Sequence, residues 1–378
     1  MMFKDVIGQE AVKHKLILSV QENRVPHAQL FLGPAGSGKL GLALAYAQYI
    51  LCPNHTETDS CGICPNCKKI SKLIHPDLHF VFPSATTKKV KKDPESDQFM
   101  EEWRGYVTET KAYADTSTWY NYLDVENKQG AIFVRDASTL LRKLSFKAYE
   151  GDYKFAIIWM AEKLRIDTAN KLLKLLEEPP EKTIFILIAE DQEQILPTIK
   201  SRTSLLKVPR ISLDSIEKEL ELQFDCSAQE AHDAAILSEG NWINACRYLN
   251  NHEDEKFFFQ TFQQWMRICF KAGVNEMIDL ANNIKTIGRE KQKDLLEYGL
   301  NVIRNSLLYN NNLSNLVMLP EDEKKFNSNF APFINPNNLM QIAALLEEGM
   351  KQIERNGYAP IIFLDISFKM AKLLKIKA

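Results

Sequence analysis

The sequence predicts an α/β protein: a mostly parallel sheet covered by helices on both faces over residues 1–208, followed by a wholly helical remainder. Three observations carry this. In the first half, short runs that are apolar on both faces alternate with helical patterns. A glycine-rich segment, Gly33-Pro34-Ala35-Gly36-Ser37-Gly38-Lys39, stands between one such run and a helix. After Val208-Pro209-Arg210 the strand signals fade, and apolar residues recur at spacings of three and four.

Taken in order, Gln29-Leu30-Phe31-Leu32 reads as a buried strand and Leu42 to Ile50 as an Ala-rich helix. Ala131-Ile132-Phe133-Val134 reads as a second strand, Phe155 to Met160 as a third and Thr183 to Ala189 as a fourth. Residues 84–128 interrupt the pattern. With Lys88-Lys89-Val90-Lys91-Lys92 and then Asp93-Pro94-Glu95, they read as an exposed insertion with a short helix around Phe99 to Val107. The lysines read as a solvated loop, with a DNA-backbone contact as the sharper alternative. Residues 211–250 read as a small helical domain and residues 255–378 as all-helical. There Leu339, Ile342, Leu346, Met350 and Ile353 form an amphipathic stripe, and Asn335-Pro336 suits its helix start. Such a stripe serves either a core or a subunit interface.

Length and composition bound the function. A chain of 378 residues holds two or three domains, and 45% apolar with 25% charged residues is ordinary for a soluble globular protein. A formal net charge of −2 argues against a protein whose main task is gripping a nucleic-acid backbone, so DNA contacts should be local and protein partners come first. Met1 to Gly8 has no apolar signal-peptide core, and no stretch approaches the roughly 18 apolar residues of a membrane span. The expected compartment is the reducing cytoplasm, where clustered cysteines bind metal more often than they form disulfides.

The glycine-rich segment has the form of a phosphate-binding loop. Gly33, Gly36 and Gly38 let backbone N–H groups turn inward around phosphate, and Lys39 reaches the terminal phosphates. The next residue should carry a hydroxyl for Mg²⁺ but is Leu40. The acidic pair expected at the end of a neighbouring strand is replaced by Trp159 and Met160, with Glu162 read as lying past the site. Three lost groups with one shared task predict lost hydrolysis, with ATP and Mg²⁺ binding weak or absent.

The residues around this loop resemble a known family. Asp5-Val6-Ile7-Gly8-Gln9 and His27-Ala28-Gln29-Leu30-Phe31 precede the loop as in the subunits of bacterial DNA polymerase III clamp loaders, which are AAA+ proteins. Thr168-Ala169-Asn170-Lys171-Leu172-Leu173-Lys174-Leu175-Leu176-Glu177-Glu178-Pro179-Pro180 is similar to that family's signature helix. Ile195 to Thr203 resembles its Ser-Arg-Cys segment, with Thr203 in place of the cysteine. The resemblance covers roughly residues 1–210. It implies a RecA-like AAA+ domain over 1–208, a helical lid over 209–252 and a helical collar over 253–378 that joins sister subunits. It also implies that Arg202, after Ser201, acts in trans at a neighbour's ATP site, where a guanidinium neutralises charge on the transferring phosphate. Ile243 occupies the place of the family's nucleotide-sensing arginine, with Arg247 one helical turn on. Groups for the chain's own nucleotide are eroded and the group for a neighbour's is kept, a combination similar to the delta-prime rather than the gamma/tau members.

Cys52, Cys61, Cys64 and Cys67 are spaced C-x₈-C-x₂-C-x₂-C, which can close a tetrahedral Zn²⁺ site, and Pro53, Gly62 and Pro65 favour its turns. The resemblance implies a zinc module here, since clamp-loader subunits carry one after the phosphate-loop helix. The ferredoxin continuation of an iron–sulfur site is absent. Four thiolates leave no open position, so the metal's role is structural; His55, His75 and His79 are not needed as ligands. Cys226, Cys246 and Cys269 read as small core residues.

The reading is therefore a non-hydrolysing clamp-loader subunit. Its expected partners are gamma/tau-like and delta-like subunits, the sliding clamp, and primed DNA through the complex, with no membrane partner. The rivals are an active gamma/tau-like ATPase, a stand-alone zinc-containing nucleic-acid-binding protein, and a loop that binds nucleotide without turnover.

Overall fold

The structure is a computed structural model that describes residues 1–125, 130–250, 252–311, 313, 317, 319–355 and 357–376. The chain divides into two compact units, residues 1–246 and 247–378.

The first unit runs α1 (Glu10–Gln21), β1 (Ala28–Leu32), α2 (Lys39–Leu51), α3 (Pro65–Ser71), β2 (Leu78–Val81), α4 (Met100–Glu109), α5 (Thr116–Tyr122) and α6 (Val134–Leu144). It continues through β3 (Lys154–Trp159), α7 (Ile166–Glu177), β4 (Thr183–Ala189), α8 (Pro197–Lys200), β5 (Ser204–Lys207), α9 (Leu213–Gln223), α10 (Ala228–Leu237) and α11 (Trp242–Asn250), the last crossing the unit boundary. The five strands form one parallel sheet in the order β2-β3-β4-β1-β5. Strands β1, β3 and β4 are buried at every position, as strands covered on both faces must be. Alternate residues feed two cores: Phe31, Ile157 and Ile186 join Leu42, Tyr46 and Trp103 on one face. Leu30, Ile158 and Leu187 join Leu140, Leu172 and Leu176 on the other.

Two strands escaped the periodicity. β2 has only four residues and carries the polar His79; β5 is an edge strand with one buried residue, Leu206. The strand expected at Ala131–Val134 is corrected. Ala131 and Ile132 make only isolated bridges to Ser84 and Leu164, and Val134 already opens α6. Phe133 instead caps that helix, its backbone N–H donating to Asp136 Oδ2 at 2.8 Å.

The insertion is corrected too. It holds the expected helix as α4, but over residues 84–125 it is largely packed rather than exposed; residues 126–128 lie outside the described residues. Trp103 and Trp119 are fully buried, Trp103 stacks on Phe82 at 4.3 Å, and Trp119 meets both edge-on at 5.3 Å. The lysine run does stand in water: Lys88 pairs with Asp124 and Lys89 with Glu102, both lysine side chains at least 84% exposed.

The second unit holds α12 (His252–Lys271), α13 (Val274–Lys285), α14 (Arg289–Asn310), α15 (Glu321–Phe330), α16 (Leu339–Glu354) and α17 (Ala359–Leu373). The stripe of α16 is core: Ile342, Leu346 and Ile353 are buried with Phe262, Trp265 and Phe363. A Cβ at Gly349 would lie 2.7 Å from Ile366 Cδ1, so the glycine lets α16 approach α17 closely. Of the three remaining cysteines, Cys269 is core, whereas Cys226 and Cys246 are only half-buried; Cys226 lies outside any helix.

Candidate functional site

The phosphate loop lies where the sequence places it, between β1 and α2. Gly36 and Gly38 have φ of +67° and +86°, a left-handed conformation that costs glycine little. A Cβ at Gly36 would also lie 1.8 Å from Asn241 Oδ1. Lys39 opens α2 and is 6% exposed. Its Nζ donates to the carbonyls of Gly33 at 2.7 Å and Pro34 at 2.5 Å, and lies 3.7 Å from Glu190 Oε1. Burial pulls the Lys39 pKa down, opposed by Glu190 and then Glu162; burial pushes both carboxyls up.

The side chains at the positions where a metal-binding hydroxyl and two acids are expected from sequence lie in the interior. Leu40 is 2% exposed and belongs to the core cluster beneath α2; Trp159 and Met160 are buried beside it. Glu162, read from sequence as lying past the site, is corrected. Met160 takes a left-handed φ of +58°, and the following turn (Ala161–Lys163) folds the chain back. Glu162 Oε1 then accepts the Glu190 N–H at 2.9 Å, near enough for its charge to act on Lys39. Glu190 was missed by sequence reasoning. It directly follows β4, and the carboxyl ends of parallel strands are where such sheets build sites, so that signal was available.

The four cysteines of residues 52–67 converge: their Sγ atoms all lie within 4.8 Å of one another. The Cys52–Cys61, Cys52–Cys64 and Cys61–Cys67 separations are 3.5, 3.9 and 3.9 Å. Zn–S bonds of ~2.3 Å in a tetrahedron require S···S edges of about 3.8 Å, so the cluster fits a divalent metal ion. Backbone N–H groups of Cys61, Cys64 and Cys67 donate to the sulfurs of Cys52, Cys61 and Cys64, each at 3.4 Å. Hydrogen bonds from the Cys64 and Ile63 amides hold the Cys61 thiol down to about 6, while burial pushes Cys52 and Cys67 up. A bound cation would favour the thiolate at all four. Pro65 at the first turn of α3, capped by Cys64, fixes the Cys64–Cys67 spacing.

Arg202 lies in the turn between α8 and β5. Its guanidinium pairs with Glu177 at the end of α7 and donates to the Thr198 carbonyl at 3.0 Å and Ser201 Oγ at 3.2 Å. The Arg202 side chain is 33% exposed. Ser201 Oγ donates to the Thr198 carbonyl. Ser201 and Arg202 thus form one surface element tied to the signature helix.

The parallel sheet order, the loop ahead of α2 and the inserted thiolate module define a RecA-like domain of the AAA+ class. A family model described as "DNA polymerase III, delta subunit" matches residues 8–212, more than half of the chain. The chain belongs to that family. It is 25% identical over 374 residues to the Bacillus subtilis DNA polymerase III subunit delta', covering 90% of this chain and 97% of that one. It is 30% identical over 225 residues to the Pseudomonas aeruginosa DNA polymerase III subunit delta', covering 58% of this chain and 55% of that one. The chain thus spans nearly all of the first relative and about half the length of the second. Among solved structures, the Bacillus subtilis DNA clamp loader delta protein aligns over 96% of this chain and 100% of its own, at 9% identity and a TM-score of 0.38. Among the described residues, no helix is long and apolar enough to cross a membrane.

Proposed function

We propose that this chain is a non-hydrolysing, delta-prime-like subunit of a DNA polymerase III clamp loader, and that it supplies Arg202 in trans to a neighbouring ATPase subunit. The observation that carries this reading is the contrast between the two sites. Leu40, Trp159 and Met160, where a metal-binding hydroxyl and two acids are needed, are core residues. Arg202 is instead kept at the surface, on a segment braced by Glu177. A guanidinium held this way can reach a neighbour's phosphates by exchanging one carboxylate for another anion.

In this reading residues 1–208 form the AAA+ domain, 209–252 a lid and 253–378 a collar that holds sister subunits in a ring. The chain works in the cytoplasm with gamma/tau-like and delta-like subunits, and through them with the sliding clamp and primed DNA. The metal at the thiolate cluster is structural zinc. The chain alone has no ATPase activity and contributes to a DNA-directed DNA polymerase holoenzyme. One observation favours the rival reading of an active ATPase: Glu162 lies near enough for its charge to act on Lys39. It supplies one acid, but Leu40 still leaves the metal without a hydroxyl, and Glu190 is engaged with Lys39.

The test is reconstitution with the other clamp-loader subunits of the same organism. Clamp- and primer-stimulated ATP hydrolysis is compared for wild type and Arg202→Ala. The expected outcome is normal assembly with hydrolysis slowed by about ten-fold or more, and a silent isolated chain. Turnover by the chain alone, or an Arg202→Ala complex at full rate, refutes the proposal.

A further inference from the structure

In the insertion between β2 and α6, the residues just past helix α4, Ala112 to Ala114, lie beside the phosphate loop. Lys111 and Ala112 then take successive left-handed conformations, φ +48° and +62°, which side chains with a Cβ adopt only under constraint. That bend delivers Tyr113 to the loop. A Cβ at Gly38 would lie 3.4 Å from both Cε1 and the hydroxyl of Tyr113. The hydroxyl accepts the Ile7 N–H at 2.9 Å. Tyr113 is 6% exposed, and its ring lies 6.0 Å from that of Trp242, whose backbone N–H donates to the Gly36 carbonyl at 3.2 Å. The space left between the loop, Tyr113, Trp159 and Glu190 is about 10 Å³, at the lower limit for one water molecule.

The same insertion is anchored on the residues that replaced the lost catalytic groups. Trp103 packs on Trp159 with ring centroids 5.1 Å apart, and Ala112 joins Leu40 in one core cluster. Lys39, meanwhile, donates to two loop carbonyls and faces the Glu190 carboxylate. A nucleotide would have to displace the Tyr113 ring from beside Gly38 and a carboxylate from the lysine.

We infer that the chain fills its own nucleotide site: Tyr113, presented by the insertion, plugs the phosphate loop, and Glu190 serves as the internal anion for Lys39. This rests on the reading that the loop does not turn over ATP, and goes beyond it. The loop is not merely short of a hydroxyl but closed, holding the domain in one nucleotide-independent shape.

Titration of the full chain with ATP, in EDTA because Leu40 offers a metal nothing, tests this. An internal occupant that yields its place 1% of the time weakens apparent affinity about 100-fold. The Tyr113→Ala/Glu190→Gln double variant should therefore bind ATP at least about ten-fold more tightly than wild type. Wild type binding as tightly as the variant, or a folded variant with no gain, overturns the inference. Should that variant not fold, the milder Tyr113→Leu and Glu190→Gln single variants are titrated with ATP in its place. Tighter binding by either than by wild type supports the plug, and no gain in either folded variant refutes it. The Arg202→Ala result is independent, since it reads a neighbour's site and not this loop.

Discussion

Acid should weaken the first unit through one histidine. His79 lies in β2, paired in register with Ala156, where burial and then the Lys143 cation hold its pKa near 4, against opposing pulls from Asp77 and Asp97. An unfolded chain titrates its histidines near 6.5. Between these values the unfolded state binds a proton that the folded state refuses, so stability falls as pH drops from 6.5 toward 4 and is flat above that window. A difference of 2.5 units at 1.36 kcal/mol each is about 3 kcal/mol. The assay is guanidinium unfolding of wild type and His79→Gln at a series of pH values, followed by fluorescence, since four of the five tryptophans belong to the first unit. Subtracting the two curves removes the other titrating groups, His75 and Asp77 included. The difference should grow by roughly 3 kcal/mol across the window. Parallel curves would show that His79 is protonated in the folded protein, and the burial argument would fail.

Two further outcomes follow from the insertion and the thiolate cluster. Trp103→Ala should cost about 3–5 kcal/mol as a large buried aromatic. Trp103→Phe should cost less than half of that, because it keeps the stack on Phe82 and removes an indole N–H with no hydrogen-bond partner among the described residues; equal losses in denaturant midpoints would refute this. Cys64→Ser, or a strong chelator, should abolish stoichiometric zinc measured by elemental analysis and lower the thermal midpoint, whereas Cys269→Ser should leave the zinc content at one per chain.

Much of the site was legible because its chemistry is local in sequence. The phosphate loop and the four cysteines each lie within a short segment; the structure sets the loop between β1 and α2 and brings the four thiols together. What stayed hidden depends on contacts across the chain. Glu162 comes near Lys39 because the chain turns at Met160, whose left-handed conformation no periodicity signals. Tyr113 meets Gly38 only because Trp103 and Trp119 seat the insertion on Phe82 and Trp159, and a stretch headed by five residues of which four are lysines reads as solvent-exposed. Ile132 is as apolar as a strand residue, but its neighbours supply a helix cap, so the run was misread. β5 has one buried side chain, too few to stand out as a pattern.

The sheet order also governs how the chain is made. β1 has no neighbour from the first half of its unit: Leu30 pairs with Leu187 on one side and Leu205 on the other. At ribosomal speeds of about 5–20 residues per second, the first strand waits on the order of ten seconds or more for either partner. During that interval a strand that is apolar at four of its five positions is without a sheet, the condition that invites aggregation. The thiolate cluster, closed by residues 52–67, needs no distant partner and can take its metal while the rest is still emerging. Metal supply during synthesis should therefore affect the yield of folded protein more than it affects the finished fold.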